Sequence, residues 1–243
     1  MDGYTSMPTG LDVAKRAGVS PITVSRVINS SSYISAGTKT RVEAAIKEIG
    51  YGPNTLARGL RSKRTNTLAL VVTDITNPYF TLMARGVEDV AGESGYTVFY
   101  CNIAESEAKE EKYANILAQR KVDGVLLVPV WGNAKIIKFP ESNGVIVVVL
   151  DRRVSKLETD YVRADSVQGA KGLIQLLIGS GHTRIAMITG PRQVSTSMDR
   201  VAGSVQAAAE AGLSEYGLVF YGAFNPQSGY ELTLQAIIHK NNG

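Results

Sequence analysis

The stretch GVSPITVSRVIN, residues 18–29, carries two kinds of surface on one short helix. Val24, Val27 and Ile28 recur at helical spacing and form an aliphatic stripe, while Thr23, Ser25, Arg26 and Asn29 lie elsewhere. Gly18 ends a preceding helix over residues 11–17, whose Leu11, Val13, Ala14 and Ala17 share a face. Val19 is a small apolar plug in the turn. Ser20 has the chemistry of an N-cap, and Pro21 falls at the first helical position, where its missing N–H costs nothing. A third helix is expected near residues 38–49, with Val42, Ala45, Ile46 and Ile49 inward. Two helices joined by a tight glycine turn, with a third behind them, make a helix-turn-helix. The stripe seats the second helix and leaves its polar N-terminal end for a DNA major groove. Serine and threonine bond phosphates or bases, and arginine forks onto guanine. Pro21 and Ile22 have no hydrogen-bonding side chain, so any base contact they make is apolar, for instance with a thymine methyl. The same pattern also suits an ordinary three-helix bundle.

Charge supports the DNA reading for this part of the chain. Residues 1–66 hold ten Lys+Arg against four Asp+Glu, a charge of +6, whereas the rest holds sixteen against eighteen, −2. The basic excess sits in the first quarter of the 243 residues, which points to a polyanion partner for that segment. The length fits a small domain plus a larger one. No apolar run is long enough for a membrane span, and the N-terminus lacks the basic and apolar regions of a signal peptide. The single cysteine, Cys101, excludes a disulfide framework and fits a reducing cytoplasm. With two histidines, His182 and His239, a histidine metal site or a catalytic triad is not expected.

From residue 68 short apolar runs alternate with amphipathic stretches. Strands are expected at residues 68–74, 96–101, 124–130, 145–151, 184–189 and 218–222. Helices are expected at 79–94, 105–119, 169–178, 201–211 and 228–238. This alternation predicts an α/β domain with parallel sheets and helices on both faces. Ligands of such sheets bind beyond the carboxyl ends of the strands. There stand Asp74 in DITNPYF, Asp151, Thr189-Gly190-Pro191 and Phe224. Each has a plain alternative: Asp74 as a cap, Tyr79 and Phe80 as core, Arg200 paired with Asp199 at the surface. Residues 53–67, PNTLARGLRSKRTNT, are a poor lone helix because of their polar residues and glycine, and also read as a flexible linker.

DVAKRAGVSPITVSRVIN, then ISAGTKTRVEAAIKEIGYGPN, then ARGLRSKRTNTLALVV closely resemble the LacI/GalR family of bacterial transcriptional regulators. The resemblance continues in weaker form through the rest of the chain. It implies a small all-α helix-turn-helix domain (residues 9–52), a hinge (53–67) and a two-lobed, periplasmic-binding-protein-like effector domain (68–243). The first lobe is expected at about 68–155 and the second from about 162, with the crossing between them. The implied DNA-contacting set is Thr9, Ser20, Pro21, Ile22, Thr23, Ser25, Arg26, Asn29, Tyr51, Asn54, Ala57 and Leu60. Leu60 matches the family's minor-groove wedge, which pries open a base step, with Ala57 the small residue beside it. The implied effector set is Asp74, Tyr79, Phe80, Asp151, Thr196, Arg200 and Phe224. Carboxylates, an arginine and aromatic faces suit a sugar, and the aromatics would suit a purine equally. The sequence departs from the family at Gly10, expected to loosen the start of the first helix, and at Ser204, where an aromatic is usual.

The expected function is that of a DNA-binding regulator, a repressor on this reading, whose operator affinity a small effector changes. It needs no cofactor or metal, is not an enzyme, and acts in the cytoplasm as a homodimer where the family's C-terminal portion is present. That portion extends past residue 243 in the family, so a truncated, non-functional fragment is one alternative. A free sugar-binding protein is another; it predicts a signal peptide and no basic head. An enzyme on this fold would need a phosphate loop or an activated nucleophile, and DITNPYF follows the first strand instead.

Overall fold

A computed structural model describes residues 8–29, 33–52, 64–132, 135–154, 158–213 and 219–241. The chain divides into two compact units at residues 63 and 64.

The first unit is helical. Helices α1 (Gly10–Ala17), α2 (Pro21–Ile28) and α3 (Ala36–Ile49) enclose Val13, Ala14, Ala17, Val24, Val27, Val42 and Ala45. Ile28, Ile46, Ile49 and Tyr51 close the edge of this core. Local chemistry sets each boundary. The Thr9 hydroxyl accepts from the Asp12 N–H, and the Asp12 carboxylate takes the Thr9 N–H and O–H at 2.9 and 2.7 Å, a reciprocal capping box. The start of α1 is therefore pinned despite Gly10, contrary to the loosening expected from sequence. Gly18 and Gly50 end α1 and α3 in the left-handed region (φ 64° and 65°), where a Cβ would be strained.

The second unit begins with Thr65 and Asn66 bonded to the Asp123 carboxylate. Its strands are β1 (Thr67–Val72), β2 (Thr97–Asn102), β3 (Gly124–Leu127), β4 (Ile146–Leu150) and β5 (Asp160–Val162). They form one parallel sheet in the order β2-β1-β3-β4-β5. Helices α4 (Pro78–Glu93), α5 (Glu107–Arg120) and α6 (Lys135–Ser142) lie between them in sequence. Alternation along β1 feeds two cores. Ala69 and Val71 join Ile103, Ala114, Leu117, Leu127, Ile137 and Val147. Leu70 and Val72 join Phe80, Val128 and Leu150. Cys101 is buried in the first of these, and burial pushes its thiol up to about 11.

The second lobe contains α7 (Ser166–Gly179), β6 (Met187–Thr189), α8 (Ser195–Glu210), β7 (Val219–Tyr221) and α9 (Pro226–Asn241), with β6 and β7 paired in parallel. Helices α7 and α8 approach so closely at Gly203 that a Cβ there would stand 2.0 Å from the Val167 carbonyl oxygen. Strand β5 and helix α6 depart from the pattern expected from the sequence. Val162 pairs with Leu150 in the first sheet, so the second lobe starts after it, not at it. Three-residue β5 is exposed throughout and has no alternating pattern, and α6 contains Pro140, which argues against a helix in sequence.

Candidate functional site

Two sites emerge, one in each unit. On the helical unit, α2 presents its start to solvent. Ser20 caps it, accepting from the Thr23 N–H at 3.2 Å, and the two hydroxyls lie 2.9 Å apart. Ser20, Pro21, Arg26 and Asn29 are exposed, Thr23 and Ser25 half-buried, and Ile22 is 65% exposed while its neighbours Val24 and Val27 are core. Single exposed apolar side chains are ordinary on a protein surface, and the place of Ile22 at the start of a capped helix leaves it accessible. Thr9 is committed to the α1 cap. Tyr51 packs on the core edge, with its hydroxyl beside Gly10. Asn54, Ala57 and Leu60 lie outside the described residues.

In the second unit, the first turn of α4, the residue after β4 and helix α8 bring Tyr79, Asp151 and Arg200 into one electrostatic neighbourhood. Asn77 caps α4, and the following Tyr79, 46% exposed, donates its hydroxyl proton to Asp151 Oδ1 at 3.0 Å. Burial and then the Asp151 charge push the Tyr79 hydroxyl up to about 12, with the Arg200 charge acting the other way. Asp151 itself is held in the left-handed region, φ 61°. The Phe224 ring sits against Gly190, where a Cβ would be 2.1 Å from it, and the Arg152 guanidinium lies 5.9 Å from the ring centroid.

Other expected residues are placed differently. Phe80 is 4% exposed and belongs to the core with Leu70 and Val128, so it is not an aromatic face of the cleft. The i, i+1 pair Tyr79–Phe80 puts one ring out and the other in, since neighbours on a helix do not share a face. Asp74 is turned onto its own loop, where Oδ1 accepts from the Thr76 N–H and O–H at 2.9 and 2.7 Å. Thr196 is buried in the first turn of α8. Arg200 is half-buried on the same helix and also borders a second-lobe cavity of about 530 Å³ beneath α7 and β6. Ser204 is buried and donates to the Arg200 carbonyl at 2.8 Å, so its hydroxyl is not left unpaired.

Several residues that bind the site together were not singled out from sequence. Arg152, 3% exposed, pairs with both oxygens of Glu105 (2.9 and 2.7 Å) and donates to the carbonyls of Pro129 and Val130 (3.1 and 2.8 Å). Glu110, also buried, accepts from the Val130 N–H at 3.0 Å. Asp199 does not pair with Arg200. Its two oxygens go to Arg153 and to Arg163 (3.3 Å to the latter). Only the Arg152-Arg153 doublet after a strand hints at this in the sequence; the partners lie 36 to 47 residues away.

The chain matches two family models: the lacI family of bacterial regulatory proteins over residues 11–54, and the periplasmic binding proteins and sugar binding domain of the LacI family over residues 65–235. It is 36% identical to an HTH-type transcriptional repressor PurR of Aliivibrio fischeri, aligned over 91% of this chain and 63% of the relative. It is 35% identical to the ribose operon repressor of Escherichia coli, over 96% of this chain and 71% of the relative. It thus spans between three-fifths and three-quarters of these relatives' length. A lac repressor dimer bound to operator and the anti-inducer ONPF superposes with a TM-score of 0.82 at 26% identity, covering 97% of this chain and 71% of that one. A helix-turn-helix head followed by a parallel α/β domain, matched in order by both models, places this chain in the LacI family of bacterial regulatory proteins.

Proposed function

We propose that this chain is a sequence-specific DNA-binding repressor whose operator affinity is set by a small effector held between the two lobes. The observation that carries the reading is the capped start of α2, where exposed Ile22, Arg26 and Asn29 stand on a helix whose other face is core. Apolar and forked polar side chains at the N-terminal end of a recognition helix are what a major groove reads. The basic excess of residues 1–66 supplies the phosphate attraction. On this reading the chain works in the cytoplasm and as a dimer on a palindromic site. Tyr79, Asp151, Arg200 and Phe224 recognise a sugar or a related polar metabolite; an aromatic, a carboxylate and a guanidinium suit an apolar ring face flanked by hydroxyls.

The test is selection of binders from a random duplex library by the full chain, at near-physiological salt. An enriched palindrome with a flexible central step is the expected result. Enrichment of an isolated half-site would remove the dimer from the reading, and no enrichment would overturn DNA recognition.

A further inference from the structure

The cleft walls are tied together by a carboxylate that contacts neither Tyr79 nor Phe224. Asp199 is 8% exposed and lies on α8 between Thr196 and Arg200. Its Oδ1 takes the Arg153 guanidinium, and its Oδ2 takes Arg163 at 3.3 Å. One turn earlier on the same helix, Ser195 Oγ accepts the Arg153 N–H at 2.8 Å. Arg153 follows β4 of the first sheet, and Arg163 follows β5 as the chain leaves that sheet. Thus two connecting segments are fastened to the first turns of the helix that bears Thr196 and Arg200.

Both sides of this fastening are stiff. On the first-lobe side, Arg152 is locked between Glu105, the carbonyls of residues 129 and 130, and Thr73 Oγ1. That fixes the backbone of residues 151–153, including left-handed Asp151. On the second-lobe side, the close approach at Gly203 seats α8 against α7 backbone to backbone. When two rigid bodies are joined through a small set of polar contacts, displacement concentrates at those contacts. The other ties between these segments and the second lobe, the single bond from the Arg153 N–H to Ser195 Oγ and the Arg152 guanidinium 5.9 Å from the Phe224 centroid, are each weaker than a two-armed ion pair.

We propose that Asp199 is a positioning residue, the clasp that sets the separation of the two lobes through Arg153 and Arg163. Neutralising it lets the lobes part and withdraws Arg200 from Tyr79. Its importance for effector response rests on the cleft reading above, but the clasp itself does not.

The chain contains its own reporter. Trp131, the single tryptophan, is 39% exposed and lines a cavity of about 510 Å³ with Arg153 on one side and Gln193, Val194 and Ser195 of the second lobe on the other. Acrylamide quenching of its fluorescence is measured on the full chain, without DNA or effector, for the wild type, Asp199→Asn, Arg153→Gln and the double variant. Trp131 is 39% exposed, so opening has buried indole surface left to uncover. An increase of roughly 1.5- to 2.5-fold is expected in each single variant, with the double variant no higher than Asp199→Asn, as for two ends of one contact. Thermal unfolding followed by circular dichroism accompanies each chain. A lowered melting temperature with unchanged quenching would make the pair merely structural and overturn the proposal, as would an increase in the double variant equal to the product of the two singles. If Asp199→Asn fails to fold, Arg153→Gln decides, because that side chain is half exposed and its loss leaves the core intact. A chain that selects no duplex can still show the clasp, so failure of the repressor reading and failure of this one are separable.

Discussion

Ile22 and Glu110 are two residues whose environment contradicts their chemistry. Ile22 is apolar and 65% exposed, so its replacement should leave the head's stability within about 0.5 kcal/mol while altering recognition. We expect Ile22→Ala to melt as the wild type does and to lose discrimination at a single base position of the selected duplex, read from binding to single-base variants. A uniform loss across all positions would mean that Ile22 supports the helix and does not read a base. Glu110 is acidic and buried at 3% exposure, and burial pushes its carboxyl up to about 7, partly offset by the bond from the Val130 N–H. A carboxyl raised on folding stabilises the folded chain fully below its unfolded value near 4.5, and that contribution is lost as pH rises through about 7. At about 1.4 kcal/mol per pH unit the loss amounts to as much as about 3 kcal/mol. Urea unfolding at pH 5 and pH 8 should show this dependence in the wild type and a flatter one in Glu110→Gln; parallel behaviour of the two chains would contradict it.

At the level of elements, boundaries come from side chains acting on neighbouring backbone, and packing comes from residues that are missing a side chain. Ser20 Oγ gives the Thr23 N–H at the start of α2 a second acceptor at 3.2 Å beside the Ser20 carbonyl at 2.9 Å, so Ser20→Ala should cost the head about 1 kcal/mol. Its melting transition is the measurement, and no shift would mean that water replaces the cap without loss. Gly203 is tighter still. A methyl there meets the Val167 carbonyl oxygen at 2.0 Å, backbone that cannot swing aside. Gly203→Ala should force α7 and α8 apart and destabilise the second unit by roughly 1–3 kcal/mol, the range for overpacking. Denaturant unfolding of the variant checks this. The helices and most strands were legible because their periodicity and caps are local. Helix α6 and strand β5 were not, since a proline and a short exposed segment are held in place by the sheet they join.

Across the whole molecule, the cores are separate. Val13, Val24 and Val42 share a cluster with residues of the first 51 alone, while both sheet-side cores draw only on residues beyond 68. Units with independent cores unfold independently. Calorimetry should therefore resolve two transitions, with Ser20→Ala moving the one belonging to the head and Gly203→Ala the other. A single transition displaced by both variants would require coupling between the units. Among the described residues no helix is long and apolar enough to cross a membrane.

The sequence by itself determined the two-unit architecture, the helix-turn-helix with the exposed start of its second helix, and the parallel α/β class. Each is written in spacing, in caps and in the sign of local charge, which act over a few residues. It also marked Tyr79, Asp151 and Arg200, though on family resemblance more than on pattern. Only the tertiary structure decided that Phe80 is core, that Asp74 serves its own loop, and that Asp199 holds Arg153 and Arg163 instead of its neighbour Arg200. The reason is physical. A side chain's partner across a cleft is set by how two strands and a helix are brought together over tens of residues, and no periodicity along the chain encodes that distance.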